Sequence, residues 1–195
     1  QVAVISNEKF LSLDGAKNDA GFTTTYRDDP FFIDPRNKKL GARVIINLEK
    51  LYMSIKKLKL KLEDPKKYYT LSHQLGIPQI STKDLQEKIF GLECNFEEFN
   101  GIDFKKGCYV GQENTARMKL KNKIRKRLIP IETKNKMESG SEISFEKESI
   151  GKVIIGGEYP FALIKFGDHE KNYIGKDLNC DGSKIKLIKP VWLNN

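Results

Sequence analysis

Alternating β-branched and small side chains over Gln1–Ser6 predict a strand, and Phe22–Thr25 and Ala42–Ile46 predict two more. Between them, Asp28–Arg36 holds two Asp-Pro steps around the apolar Phe31-Phe32-Ile33 and reads as a shaped loop. Asn47 is a helix N-cap candidate. Leu48, Leu51, Tyr52, Ile55 and Leu58 follow it at helical spacing and form the apolar face of an amphipathic helix. The seven basic and two acidic residues between Lys50 and Lys67 then form its solvated face. Asp64-Pro65 opens another helix, because proline suits a first helical turn, and that helix runs to Leu75 and stops at Gly76. Ser81–Phe90 is expected to be a short helix, with Ser81 and Asp84 spaced as a capping box. Gly107–Leu120 reads as a loop entering a helix.

After residue 123 the texture changes. Short apolar runs at Leu128–Ile131, Glu142–Phe145, Lys152–Ile155, Ala162–Phe166 and Lys184–Ile188 are separated by Gly, Asn and Ser turns. A spacing of about ten residues is that of an all-β unit. The pattern therefore predicts an α+β protein. A mixed sheet-and-helix N-terminal part, residues 1–122, precedes a small C-terminal β-barrel, residues 123–195.

Composition narrows the setting. The 195 residues are 38% hydrophobic, enough for a buried core without disulfides. No apolar run reaches the roughly 20 residues of a membrane-spanning helix, so no membrane partner is expected. The chain opens on Gln1 without an apolar leader, and lost upstream sequence is expected. Three cysteines, Cys94, Cys108 and Cys180, form neither a disulfide framework nor a CxxC knuckle, which predicts a reducing, cytoplasmic home. Two histidines argue against a dedicated zinc site, and no metal ligands are assigned.

Charge is concentrated. Residues 105–127 carry nine Lys or Arg against one acid, Glu113, while the rest of the chain is almost neutral with 26 basic and 25 acidic residues. Such a segment suits a polyanion: RNA, a polyglutamylated cofactor or an acidic protein. Residues 110–130 contain no aromatic for base stacking, so an RNA contact there would rest on phosphates.

The start of that segment carries the chemistry. In Lys105-Lys106-Gly107-Cys108-Tyr109-Val110-Gly111-Gln112-Glu113, two glycines allow a tight turn and close approach of another group. A cysteine beside two lysines and near a helix N-terminus has its thiolate favoured by both. Cys108 is thus the candidate nucleophile, metal-contacting or redox group. Cys94 and Cys180 lack that setting and are expected to be inert.

KGCYVGQE resembles the signature of the YgfZ-type folate-binding proteins, which are related to the aminomethyltransferase of the glycine cleavage system. Further elements follow in the same order: Asp34-Pro35-Arg36 with Leu40-Gly41 and Arg43, Tyr68 with Gly76-Ile77-Pro78, Leu92-Glu93-Cys94-Asn95, Gly101-Ile102-Asp103-Phe104, Thr115-Ala116-Arg117, and Arg125-Lys126-Arg127-Leu128. One departure is Ser72, which stands where the family carries an arginine. Family members have about one further domain upstream, so residues 1–122 would be the C-terminal portion of a folate-binding unit.

The resemblance implies a folate-binding accessory protein, with tetrahydrofolate or a related folate as cofactor. It implies iron–sulfur client enzymes as partners, including enzymes that thiolate tRNA. Cys108 would act as a cluster-contacting or redox-active thiolate. Tyr68, Lys106, Tyr109 and Glu93 would be folate-binding candidates. Tyr68 either stacks on the pterin or packs as an ordinary helix residue, and Glu93 either binds a pterin edge or caps a turn. Arg36 and Arg43 either line a ligand cavity or close the turn at Asp34. An accessory role is favoured over aminomethyl transfer, because KGCYVGQE belongs to the YgfZ branch. The alternatives are a folate-dependent one-carbon transferase and an RNA-binding module using residues 105–127.

Overall fold

The computed structural model describes residues 1–12, 15–121, 124–166 and 173–193. Its elements are a mixed sheet-and-helix N-terminal part and a closed six-stranded barrel in the C-terminal region. The chain divides into two compact units, residues 1–68 with 99–101, and residues 69–98 with 102–195. The expected boundary at 122/123 falls on two residues outside the described set.

The first unit is built on a four-stranded antiparallel sheet of order β1-β4-β3-β2, with β1 Val2–Ile5, β2 Thr23–Tyr26, β3 Asp29–Ile33 and β4 Ala42–Ile45. Helix α1, Asn7–Leu11, brings Phe10 onto one sheet face, where it packs with Phe31, Ile33, Ala42, Val44 and Ile46. The stretch read as a loop at Asp28–Arg36 is therefore largely strand. A two-residue turn at Arg27 and Asp28, both left-handed, folds β3 back on β2. Pro30 is tolerated because only β2 pairs with it; the pairing of β3 with β4 begins at Phe31. Helix α2, Leu48–Lys57, starts where expected, with the Asn47 side chain accepting from Lys50 N–H at 2.8 Å.

Helix α3, Pro65–Gln74, spans the break between the units, which falls between Tyr68 and Tyr69. It ends at Gly76, whose φ of +76° suits glycine. Ser72 is buried, and its hydroxyl donates to the Ile77 carbonyl at 2.5 Å. The helix expected at Ser81–Phe90 is a single 3₁₀ turn, Thr82–Leu85. Ser81 is itself left-handed and makes no side-chain cap, so the capping box does not form.

The barrel strands are β5 Lys126–Glu132, β6 Glu142–Phe145, β7 Glu148–Ile155, β8 Phe161–Lys165, β9 Leu178–Cys180 and β10 Ser183–Leu187. They close in the order β10-β5-β8-β7-β6-β9, with every pair antiparallel. Ile129, Ile131, Ile143, Val153, Ile164 and Ile185 fill the main core. A second cluster, with Leu128, Ile155, Phe161 and Leu163, packs against Leu85 and Ile89. This is why β5 is buried at four successive residues instead of alternating.

His73 of α3 donates its Nε2–H to the Pro160 carbonyl at 2.9 Å and lies edge-on to Phe161. Burial pushes its imidazole below the ordinary value of 6.5, against the opposing pull of that hydrogen bond. The unfolded chain therefore takes up a proton at His73 before the folded chain does. Stability conferred by the neutral ring is present above about pH 6.5 and is lost as pH falls below it. Melting temperature should drop on going from pH 7.5 to 5.5, and His73→Gln should flatten that drop, as measured by circular dichroism.

Candidate functional site

The segment leading to the cysteine loop is fastened to the barrel. Asn95 is fully buried with φ +63°, and its Nδ2 donates to the Leu128 carbonyl at 2.8 Å. Leu128 N–H in return donates to the Glu93 carbonyl at 2.9 Å. Arg127 Nη1 donates to the Leu92 carbonyl at 3.0 Å and pairs with Glu98 at 2.8 Å. Sequence reasoning gave Asn95 no role beyond its place in the motif; the available signal was that asparagine accepts left-handed backbone more readily than most residues.

Beyond this clamp the backbone has little packing. Asp103 accepts from Lys105 N–H at 2.8 Å and turns the chain. Lys106 Nζ sits 4.9 Å from the Tyr109 ring centroid. Gly111, at φ +84°, precedes helix α4, Gln112–Leu120, and its left-handed conformation requires a residue like glycine. A Cβ at Gly107 or Gly111 would meet nothing within 4 Å, so the space around both is open to another group. Cys108 and its neighbours Lys105, Lys106, Gly107 and Val110 are exposed. Helix α4 has no buried residue; Lys119 ties it down through an ion pair with Glu97 and lies over the Phe104 ring.

The other two cysteines contrast sharply. Burial, with the charge of Glu93, pushes the Cys94 thiol up to about 12. Burial and Asp181 push Cys180 up to about 11, partly offset by a hydrogen bond from Ser141. Both are protonated at neutral pH and shut away from solvent, and both are inert on those two grounds.

The remaining candidates are distributed as follows. Lys106 and Tyr109 come together, and the Tyr109 hydroxyl is buried without a hydrogen-bond partner. Glu93 accepts from Phe90 N–H at 3.1 Å, so one of its oxygens closes a turn. Tyr68 belongs to the first unit, and its hydroxyl accepts from Arg43 Nη2 at 2.8 Å. Arg43 Nε in turn donates to Asp34 at 2.8 Å, while Arg36 holds Asp34 with Nε at 3.0 Å and Nη2 at 2.8 Å. Asp34 is 1% exposed. Burial alone would raise its carboxyl, but the hydrogen bonds and charge of Arg36, with the charge of Arg43, hold it below the ordinary carboxylate value. Two guanidiniums on one carboxylate leave the cluster with a net positive charge.

Residues 125–195 match the family model of the CAF17 C-terminal beta-barrel domain. The chain is 37% identical over 120 residues to a protein of Dictyostelium discoideum named "Iron-sulfur cluster assembly factor IBA57 homolog, mitochondrial", covering 55% of this chain and 29% of that protein. It is 38% identical over 97 residues to the protein of that name from Neurospora crassa, covering 50% of this chain and 22% of that protein. A third protein of that name, from Aspergillus oryzae, is 43% identical over 65 residues, 33% of this chain and 14% of that protein. The chain thus spans less than a third of the length of these relatives. The resemblance read from KGCYVGQE accordingly lies with IBA57 homologues instead of the YgfZ branch. Their names also overturn the expected cytoplasmic setting, since all three are mitochondrial. Unpaired cysteines mark a reducing compartment and do not distinguish one such compartment from another.

Two measurements check this geometry. Under native conditions iodoacetamide should modify Cys108 alone, with Cys94 and Cys180 reacting only after denaturation, as read by peptide mass spectrometry. Asp34→Ala leaves two partly exposed guanidiniums beside an empty carboxylate position and should cost about 1–3 kcal/mol in denaturant unfolding, as for loss of a charge-assisted hydrogen-bond partner.

Proposed function

We propose that this chain is part of a mitochondrial iron–sulfur cluster assembly factor in which Cys108 meets the cluster. The observation that carries the reading is the exposure of Cys108 on an open, lysine-flanked loop while both other thiols are buried. The IBA57 names of the relatives supply the cargo. One thiolate cannot provide the usual four ligands, so the remainder come from a client or donor protein or from a small thiol. The step is a ligand exchange. The Cys108 sulfur loses its proton to solvent and bonds a cluster iron, one thiolate leaves that iron, and no electron moves.

In the same reading residues 1–122 are part of a folate-binding unit, residues 123–195 are its barrel, and tetrahydrofolate or a related folate is the ligand. The residues fit that ligand in part. Tyr109 offers an unpaired buried hydroxyl and Lys106 beside it a cation, while the Tyr68 hydroxyl is engaged by Arg43 in the first unit. Glu93 has one carboxylate oxygen already engaged. A bound folate would supply one-carbon or reducing chemistry; Cys108, by contrast, depends only on its exposure. Aminomethyl transfer gains nothing from the site. The RNA reading of residues 105–127 is weaker, because lysines already lie over Tyr109 and Phe104, the aromatics nearest the basic residues. The relatives' names speak of cluster assembly and not of tRNA modification.

The test is support of a [4Fe–4S] enzyme's activity in cells depleted of the assembly factor. Cys108→Ala should lower that support at least tenfold, while Cys94→Ala, in folded protein, should retain it. Equal support by the Cys108→Ala variant would overturn the reading.

A further inference from the structure

The helical spacing of α2 places Leu48 and Tyr52 on an apolar face with Leu51, Ile55 and Leu58, and the structure divides that face. Leu51 packs on the Phe10–Phe31 core and Ser54 is buried. Leu48 is 66% exposed, Tyr52 58%, Met53 59%, Leu58 41% and Leu62 77%. Single exposed apolar residues are ordinary, but five within fifteen residues are not. The same stretch, Leu48 to Leu62, holds five lysines against one acid, Glu49. Lys50 is spoken for by Asp29, and Lys61 by Glu63. Lys56, Lys57 and Lys59 are exposed among the apolar side chains, and Lys56 Nζ lies 4.5 Å from the Tyr52 ring centroid.

We propose that the outward face of α2 and the segment after it rest on an anionic lipid surface. Lysines that surround protruding leucines put cations at headgroup level while the apolar side chains enter the acyl boundary. Tyrosine, with an apolar ring and a polar tip, suits that depth. The outer face of a helix is convex, so a folded partner would need a groove shaped to it, whereas a deformable bilayer does not. No helix among the described residues is long and apolar enough to cross a membrane, and the association here is peripheral. It is independent of the Cys108 reading, since no residue of the cysteine loop takes part.

The test is co-sedimentation of the full chain with vesicles of phosphatidylcholine alone and of phosphatidylcholine with phosphatidylglycerol. Binding should require phosphatidylglycerol and fall steeply as salt rises to about 1 M, where the screening length is about 3 Å. Lys56→Glu/Lys57→Glu/Lys59→Glu, and separately Leu48→Ser/Tyr52→Ser/Met53→Ser, should each weaken binding at least tenfold with an unchanged far-ultraviolet dichroism spectrum. Lys105→Glu/Lys121→Glu, in the other basic segment, should bind as the unaltered chain does. Lack of binding at low salt, binding indifferent to phosphatidylglycerol, undiminished binding by either α2 variant, or loss of binding in the loop variant instead would overturn the proposal. Capture of a poly-glutamate peptide by this face, without vesicle binding, would assign it to an acidic protein and overturn it as well. Should an α2 variant unfold, the lipid and salt dependence of the unaltered chain still decides.

Discussion

A buried asparagine in a left-handed turn anchors the region that carries Cys108. Asn95 satisfies the Leu128 carbonyl, Leu128 N–H satisfies the Glu93 carbonyl, and Arg127 spans the Leu92 carbonyl and Glu98. Leaving a buried donor or acceptor unpaired costs about 1–3 kcal/mol, so these reciprocal bonds fix where the turn sits on β5. They also explain how Cys94, next to Asn95, comes to be buried and inert. The chain leaves this clamp and within a few residues becomes open loop. The hydrogen-bonded clamp and the exposed Cys108 thiol are thus close in sequence.

The chemistry of the three thiols follows from burial. Cys94 and Cys180 are buried, and the nearby acids Glu93 and Asp181 make ionisation harder still. Cys108 has lysines on one side, no side chain near its flanking glycines, and a helix with no buried residue behind it. That combination leaves the space around the loop open. In the first unit, the Asp34–Arg36–Arg43 cluster holds its carboxylate ionised by paired guanidiniums and reaches Tyr68 through Arg43. Of the two roles weighed for these arginines, closing the turn at Asp34 is the one the geometry displays.

Much of the fold was legible where local rules and burial agree. The barrel runs, the Asn47 cap, the Pro65 start and the Gly76 stop all follow from short-range chemistry. The failures have physical causes. The Asp-Pro steps suggested a loop at Asp28–Arg36, yet a proline is harmless on the side of a strand that lacks a partner. Ser81 and Asp84 had capping-box spacing, but a box needs an extended N-cap and Ser81 is left-handed. In α2 the periodicity was right, but only the Leu51 and Ser54 side of the helix meets the core, so much of the apolar face is left exposed. At the site, the open backbone beside Cys108 was readable from its glycines. Glu93 takes the second of its two readings by closing a turn on Phe90 N–H, and Lys106 lies on the Tyr109 ring; both are contacts three residues apart, set by local backbone shape that the motif letters do not specify.

The account stands or falls on whether the Cys108 sulfur touches an iron–sulfur cluster. The most direct measurement is anaerobic incubation of the full chain with ferrous iron, sulfide and glutathione, followed by visible absorption and circular dichroism. The account predicts a protein-associated thiolate-to-iron charge-transfer spectrum that disappears in Cys108→Ala and persists in Cys94→Ala. A spectrum of equal intensity in the Cys108→Ala protein would contradict it.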